Sequence, residues 1–223
     1  MALPSFTLHT FYRSTSSGRL RIAMSLKGLS YRPIYHNLLL DEHKSLEYEK
    51  LNPSRSVPLL IHHAGDKDVS IGQSVAALEY LEETFPSQRP LLPPSADPEG
   101  RAYVRALVNI VTSDIQPVTN RRIVNAVREL GGSRKRWAQQ WYAEGLKAFE
   151  SLIAREGGTY SYGDEVTLAD VCLSAAMWNA ATYEVDLEPF PLVRRISENL
   201  SKEPDIIQAH WKYQADCPDR ERA

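Results

Sequence analysis

Tyr12-Arg13-Ser14-Thr15-Ser16-Ser17-Gly18-Arg19-Leu20-Arg21-Ile22-Ala23-Met24 is the stretch whose reading decides the fold. Four hydroxyl residues in succession follow Thr7-Leu8-His9-Thr10-Phe11-Tyr12, whose alternation predicts a strand. From Gly18 onward, Leu20, Ala23, Met24 and Lys27 fall at helical spacing, and Gly28 suits a helix C-terminus. A helix starting here aims free backbone N–H groups, the positive end of its dipole and several hydroxyls at one spot, which suits an anion. Serines also cap helices that bind nothing, so the stretch alone supports either role.

Outward from it, residues 31–38 predict a second strand with Ile34, His36 and Leu38 on one face. Residues 45–51 predict a short helix stopped by Asn52-Pro53. Residues 58–62 and 68–71 predict two strands about a turn at Gly65-Asp66, and 74–85 a helix closed by Pro86. The order βαβ, short helix, ββ, helix implies a parallel pair and a hairpin, a thioredoxin-like domain over 1–86. Pro86, Pro90, Pro93, Pro94 and Pro98 then predict an extended linker over 87–98. The rest, 99–223, reads as all-helical: 99–130 kinked at Pro117, then 134–155, 167–183, 192–200 and 205–212. The expected class is α+β in two domains.

The 223 residues are 43% apolar and 24% charged, an ordinary globular composition. A net charge of −2 and aromatics without interleaved Arg or Lys speak against nucleic acid. Apolar runs such as Ala175-Ala176-Met177-Trp178 are too short to span a bilayer. Met1-Ala2-Leu3-Pro4 offers no signal-peptide pattern, so a cytoplasmic location is expected. Cys172 and Cys217 stand far apart, which excludes a disulfide scaffold or zinc ribbon. His62-His63 in a strand would face opposite sides, so no metal pair is expected.

Three junctions carry chemistry, the opening stretch among them. A thiol with a pKa of roughly 8.5 needs a fall of about two units, roughly 2.7 kcal/mol, to be mostly thiolate at neutral pH. A helix dipole supplies only about 0.3–1 kcal/mol, while a hydrogen bond to a charged group adds about 1.5–3. Dipole plus one serine hydroxyl at residues 14–17 is therefore about sufficient. Val57-Pro58 precedes a strand, where a cis bond would turn the Val57 backbone groups toward a peptide-like ligand. Gln73-Ser74 opens a helix and suits a carboxylate, or else simply caps it, with Glu82 and Glu83 solvated. Thr167-Leu168-Ala169-Asp170 is a capping box with Asp at the reciprocal position, a structural feature.

Taken in this order, the motifs resemble a cytosolic glutathione transferase. More narrowly, residues 12–23 are similar to the SSCxWRVRIAL motif of the zeta class, the maleylacetoacetate isomerases. Leu51-Asn52-Pro53, Gln73-Ser74, residues 79–83, Ile115-Gln116-Pro117, residues 163–170 and Val185-Asp186-Leu187 extend the resemblance over nearly the whole chain. It implies glutathione as cofactor, with catalytic roles at Ser14, Thr15 and Ser16. The cofactor-binding set it implies is Ser14, Thr15, Ser16, Ser17, Arg19, His43, Val57, Pro58, Gln73, Ser74, Gln116, Asn120 and Arg122.

The implied reaction is cis–trans isomerisation of maleylacetoacetate-like diketo acids in tyrosine and phenylalanine breakdown. The thiolate adds to the alkene, the resulting single bond rotates, and the thiolate leaves. The alternatives are a glutathione transferase acting on small electrophiles such as α-halo acids, and a non-catalytic interaction module. A homodimer is implied, through the helices at 74–85 and 99–130. The chain departs from the family pattern at Ser16 for cysteine, Gly18 for tryptophan and Thr182 for a substrate-gripping arginine, and HPxxQPD reads His210-Trp211-Lys212-Tyr213-Gln214-Ala215-Asp216. Arg13, Arg19 and Arg122 are the candidate replacement cations.

Overall fold

The computed structural model describes residues 5–65 and 67–222, so the expected Met1–Pro4 reading and Asp66 of the hairpin turn lie outside the described residues. The chain divides into two compact units: one runs to Pro90 and resumes at Pro204, the other spans Leu91–Glu203.

In the first unit the elements run β1 (Phe6–Thr10), α1 (Thr15–Leu26), β2 (Arg32–Tyr35), α2 (Leu46–Leu51), β3 (Leu59–Ala64), β4 (Lys67–Gly72) and α3 (Ser74–Thr84). The four strands lie in the order β2-β1-β3-β4, with β1 and β2 parallel and the other two pairings antiparallel. α1 starts at Thr15, ahead of Gly18, because the Ser14 side chain accepts the Ser17 N–H. It ends with Gly28 at φ +65, where the Leu29 N–H reaches back 2.8 Å to the Met24 carbonyl. That reach-back needs a left-handed residue, which glycine adopts without cost.

The residues from Pro204 on were expected in the helical domain, but the structure groups them with the first unit. α9 (Pro204–Ala209) ends where the buried Arg21 Nε donates to the Ala209 carbonyl at 3.1 Å. Farther on, Cys217 packs into an apolar cluster with Phe11, Tyr12, Tyr48, Val57, Leu59 and Ile61. The burial gained by that cluster draws the tail back, and α10 (Asp219–Arg222) lies within it.

The second unit holds α4 (Pro98–Asn109), α5 (Arg121–Glu129), α6 (Arg134–Glu156), α7 (Leu168–Thr182) and α8 (Pro191–Leu200). The expected linker is partly built into it. Leu91 is fully buried and its carbonyl accepts the Leu168 N–H at 2.7 Å, while Pro98 opens α4 behind the Asp97 cap.

The single kinked helix expected over 99–130 is two helices. Residues Ile110–Ile115 widen into a π-helical turn, the Gln116 N–H donates to Val111, and Asn120 caps a fresh helix. Pro117 has no N–H to continue the ladder, which is why the chain restarts there. The Thr167 capping box forms as read: Asp170 is fully buried and accepts from the Thr167 N–H, the Thr167 hydroxyl and the Ser161 N–H.

Candidate functional site

Strand register gathers the first-unit candidates at one end of the sheet. His9 aligns with Leu59, and Leu59 with Gly72. The exit of β1 toward Ser14, the Val57-Pro58 step into β3 and the exit of β4 toward Gln73-Ser74 therefore share one edge. The Val57–Pro58 bond is cis.

At the start of α1, Ser14 is half-buried and its Oγ accepts the Ser17 N–H at 3.1 Å. The acceptor role leaves the hydroxyl proton available to donate elsewhere. The Gly18 N–H goes to the Ser14 carbonyl at 2.8 Å, so the Thr15 and Ser16 N–H groups remain as the outward donors of the first turn. Thr15 and Ser16 are half-buried, whereas Ser17 is fully buried. Ser17 is thus a packing residue behind the surface that Ser14–Ser16 present.

The start of α3 also presents a hydroxyl, here without a side-chain cap. The buried Ser74 Oγ accepts from Arg19 Nη1 at 3.1 Å and keeps its proton. Gln73 is exposed and held at φ +86, a conformation that costs a non-glycine residue energy and is retained when its surroundings demand it. Arg19 is only 2% exposed, so it acts by tying α1 to the start of α3 and is not presented to a ligand.

Two family patterns match the chain: "Glutathione S-transferase, N-terminal domain" over residues 13–84 and "Glutathione S-transferase, C-terminal domain" over 124–211. The maleylacetoacetate isomerase of Aspergillus fumigatus is 46% identical over 221 residues, covering 98% of this chain and 96% of that one. A solved maleylacetoacetate isomerase from Anaeromyxobacter dehalogenans, with dicarboxyethyl glutathione and citrate in its active site, has a TM-score of 0.88 at 36% identity, covering 98% of this chain and 96% of that one. A bacterial zeta-class maleyl pyruvate isomerase has a TM-score of 0.87 at 37% identity, covering 95% of this chain and 100% of that one. The chain belongs to the zeta-class glutathione transferases.

In this zeta-class chain the step into Val57 is held by residues whose role the sequence did not disclose. Asn52, 5% exposed, donates from Nδ2 to the Ser56 carbonyl at 2.7 Å and accepts the Ser54 hydroxyl at 2.8 Å. The Tyr48 hydroxyl donates to the same Ser56 carbonyl at 2.7 Å. Arg21, 2% exposed, donates to the Phe11 and Tyr12 carbonyls at 3.3 and 3.0 Å, and burial brings its pKa down to about 10, which still leaves it charged at neutral pH. Glu82, expected to be solvated, instead makes a buried 2.6 Å ion pair with Lys27.

His43 sits half-buried on the turn Glu42–Lys44. In the second unit, Gln116 follows the π-helical turn, the Asn120 Oδ1 accepts the Arg122 N–H at 3.1 Å, and Arg122 is exposed. Of the proposed replacement cations, Arg19 is inside the protein, Arg13 is exposed and paired with Glu221 at 3.1 Å, and Arg122 is exposed. Thr182, at the family's arginine position, donates its hydroxyl to the Trp178 carbonyl of its own helix at 3.4 Å. Among the described residues no group of three or more His, Cys, Asp or Glu could hold a metal ion, and no helix is long and apolar enough to cross a membrane.

Proposed function

We propose that the protein is a glutathione-dependent cis–trans isomerase of maleylacetoacetate-like diketo acids. The observation that carries the reading is Ser14: its oxygen is occupied as a helix cap, its proton is not, and two open N–H groups follow it. A tripeptide bearing a thiol and a terminal carboxylate fits this donor set. Ser14 with the Thr15 and Ser16 N–H groups suits the sulfur, Val57 the peptide backbone, and Gln73 with Ser74 the carboxylate. Bound glutathione supplies a thiolate nucleophile that adds to the alkene and is regenerated when it leaves. Ser14 holds the thiolate by hydrogen bonding, the α1 dipole adds to the field, and Arg19 keeps the two helix starts in register. Gln116, Asn120 and Arg122 are proposed as glutathione-binding residues from their positions in the family pattern, and His43 as a donor at the position of a family glutamine.

The deciding experiment is isomerisation of maleylacetoacetate with and without glutathione. Trans product that requires glutathione, with the thiol concentration unchanged, supports the reading. Stoichiometric thiol loss would favour a transferase acting on small electrophiles instead, a reading favoured by Thr182, which places a neutral, self-bonded hydroxyl where the family has a cation. Failure of immobilised glutathione to retain the protein would remove both readings. We further propose a cytoplasmic homodimer that uses α3 and α4; a monomeric mass by sedimentation would refute the dimer.

A further inference from the structure

We propose that Asp216, in the C-terminal tail, is a positioning residue for the Ser14 site, acting through the backbone of Tyr12. This rests on the functional reading above. The turn from Phe11 to Ser14 is closed by the Ser14 N–H donating to the Phe11 carbonyl at 3.0 Å. Arg21 holds one side of the turn through the Phe11 and Tyr12 carbonyls. The other side is held by the tail. Asp216 Oδ2 accepts the Tyr12 N–H at 2.8 Å, and Glu221 accepts the Tyr12 hydroxyl at 3.0 Å and Arg13 Nη1 at 3.1 Å. The Arg13 guanidinium also lies 5.1 Å from the centre of the Trp211 ring.

Nothing in these contacts depends on a ligand, and the tail braces itself. Arg222 donates from Nε to the Cys217 carbonyl at 3.0 Å and from Nη2 to the Gln214 carbonyl at 3.2 Å, and the buried Cys217 shares its cluster with Val57. Burial pushes the Asp216 carboxyl above the ordinary carboxylate range, while the Tyr12 N–H opposes that shift. A carboxylate held there against desolvation is consistent with a backbone donor that requires an acceptor. With both the Tyr12 N–H and its two neighbouring carbonyls held, the Ser14 backbone, and hence its hydroxyl, is fixed before any ligand arrives.

The test compares Asp216→Ala, Asp216→Asn and Glu221→Gln with the wild type. The first readout needs no ligand: exchange of the Tyr12 amide proton, expected to quicken about tenfold in Asp216→Ala. The second is the pKa of the bound glutathione thiol, expected to rise by about half to one unit, while the glutathione dissociation constant stays within about threefold. Asp216→Asn keeps an acceptor and should restore both. Glu221→Gln leaves the buried core intact and should shift both weakly, which decides the matter if Asp216→Ala does not fold. Unchanged Tyr12 exchange and thiol pKa in a folded Asp216→Ala variant would overturn the proposal, as would affinity and pKa failing in parallel. If wild-type protein does not lower the glutathione pKa, the functional reading falls, and Tyr12 exchange still judges the tail.

Discussion

Ser14 carries two loads, and they can be separated. As helix cap it accepts the Ser17 N–H at 3.1 Å, and in the proposed function it would offer its proton to a thiolate. A hydrogen bond to a charged group is worth about 1.5–3 kcal/mol, or roughly one to two pKa units of a bound thiol. Losing the cap to alanine costs about 0.5–2 kcal/mol of stability, whereas glycine costs only a few tenths. For a chain of this size about 1 kcal/mol moves Tm by about 2–4 °C. Ser14→Ala should therefore raise the bound thiol pKa by about one to two units and also lower Tm by a few degrees. Ser14→Gly should raise the pKa equally with Tm almost unchanged. The assay is ultraviolet absorbance of the thiolate, titrated with glutathione bound, beside a thermal melt. Ser16→Ala is the internal control, because Ser16 caps nothing and should change neither reading much. A wild-type titration curve in Ser14→Gly would refute the donor role, and an equal shift in Ser16→Ala would transfer that role to Ser16.

Three further expectations follow from the packing. Lys27 Nζ is fully buried against Glu82 and also donates to the Phe85, Gln88 and Arg89 carbonyls, so Glu82→Leu should cost about 3 kcal/mol in urea unfolding, and the double variant Lys27→Met/Glu82→Leu should recover only part of it, because those carbonyls lose their donor. A Cβ on Gly145 would stand 2.1 Å from Ile115 Cγ1, so Gly145→Ala should destabilise by about 1–3 kcal/mol by melting and be harmless in an Ile115→Ala background. Burial, His36 and Arg32 bring His9 from 6.5 to about 4, so the unfolded chain takes up the proton first as pH falls. Stability should thus be fully present above about 6.5 and decline toward about 4, with a shallower decline in His9→Gln; identical slopes in Tm against pH would contradict this.

Each of the features legible in the sequence is local. Helix starts at Ser45 and Thr167, the Gly28 stop and the succession of elements all depend on residues within a few positions of one another, where caps and period decide, whereas the first helix starts at Thr15 under a Ser14 cap, ahead of the Gly18 start that the spacing suggested. The candidate site was legible for the same reason: it is built from junctions, where a strand hands over to a helix. Its supports were not, because each is a long-range pairing of a charge with something the local pattern does not contain. Arg21 meets Ala209, Lys27 meets Glu82, and Tyr12 meets Asp216. Read locally, each of those charged residues belongs on a solvated face, and only the completed fold supplies the partner that makes its burial tolerable. The turn at Ile110–Ile115 escaped for a related reason. Its apolar residues keep helical spacing, and the feature beside it is the absence of a side chain at Gly145, on another helix. The hydroxyls at the start of α1 are thus a local property of the chain, while the hold on the turn before them is a property of distant charges. Substitutions at Asp216 or Arg21 should consequently blunt thiolate stabilisation in a chain whose every junction motif remains intact.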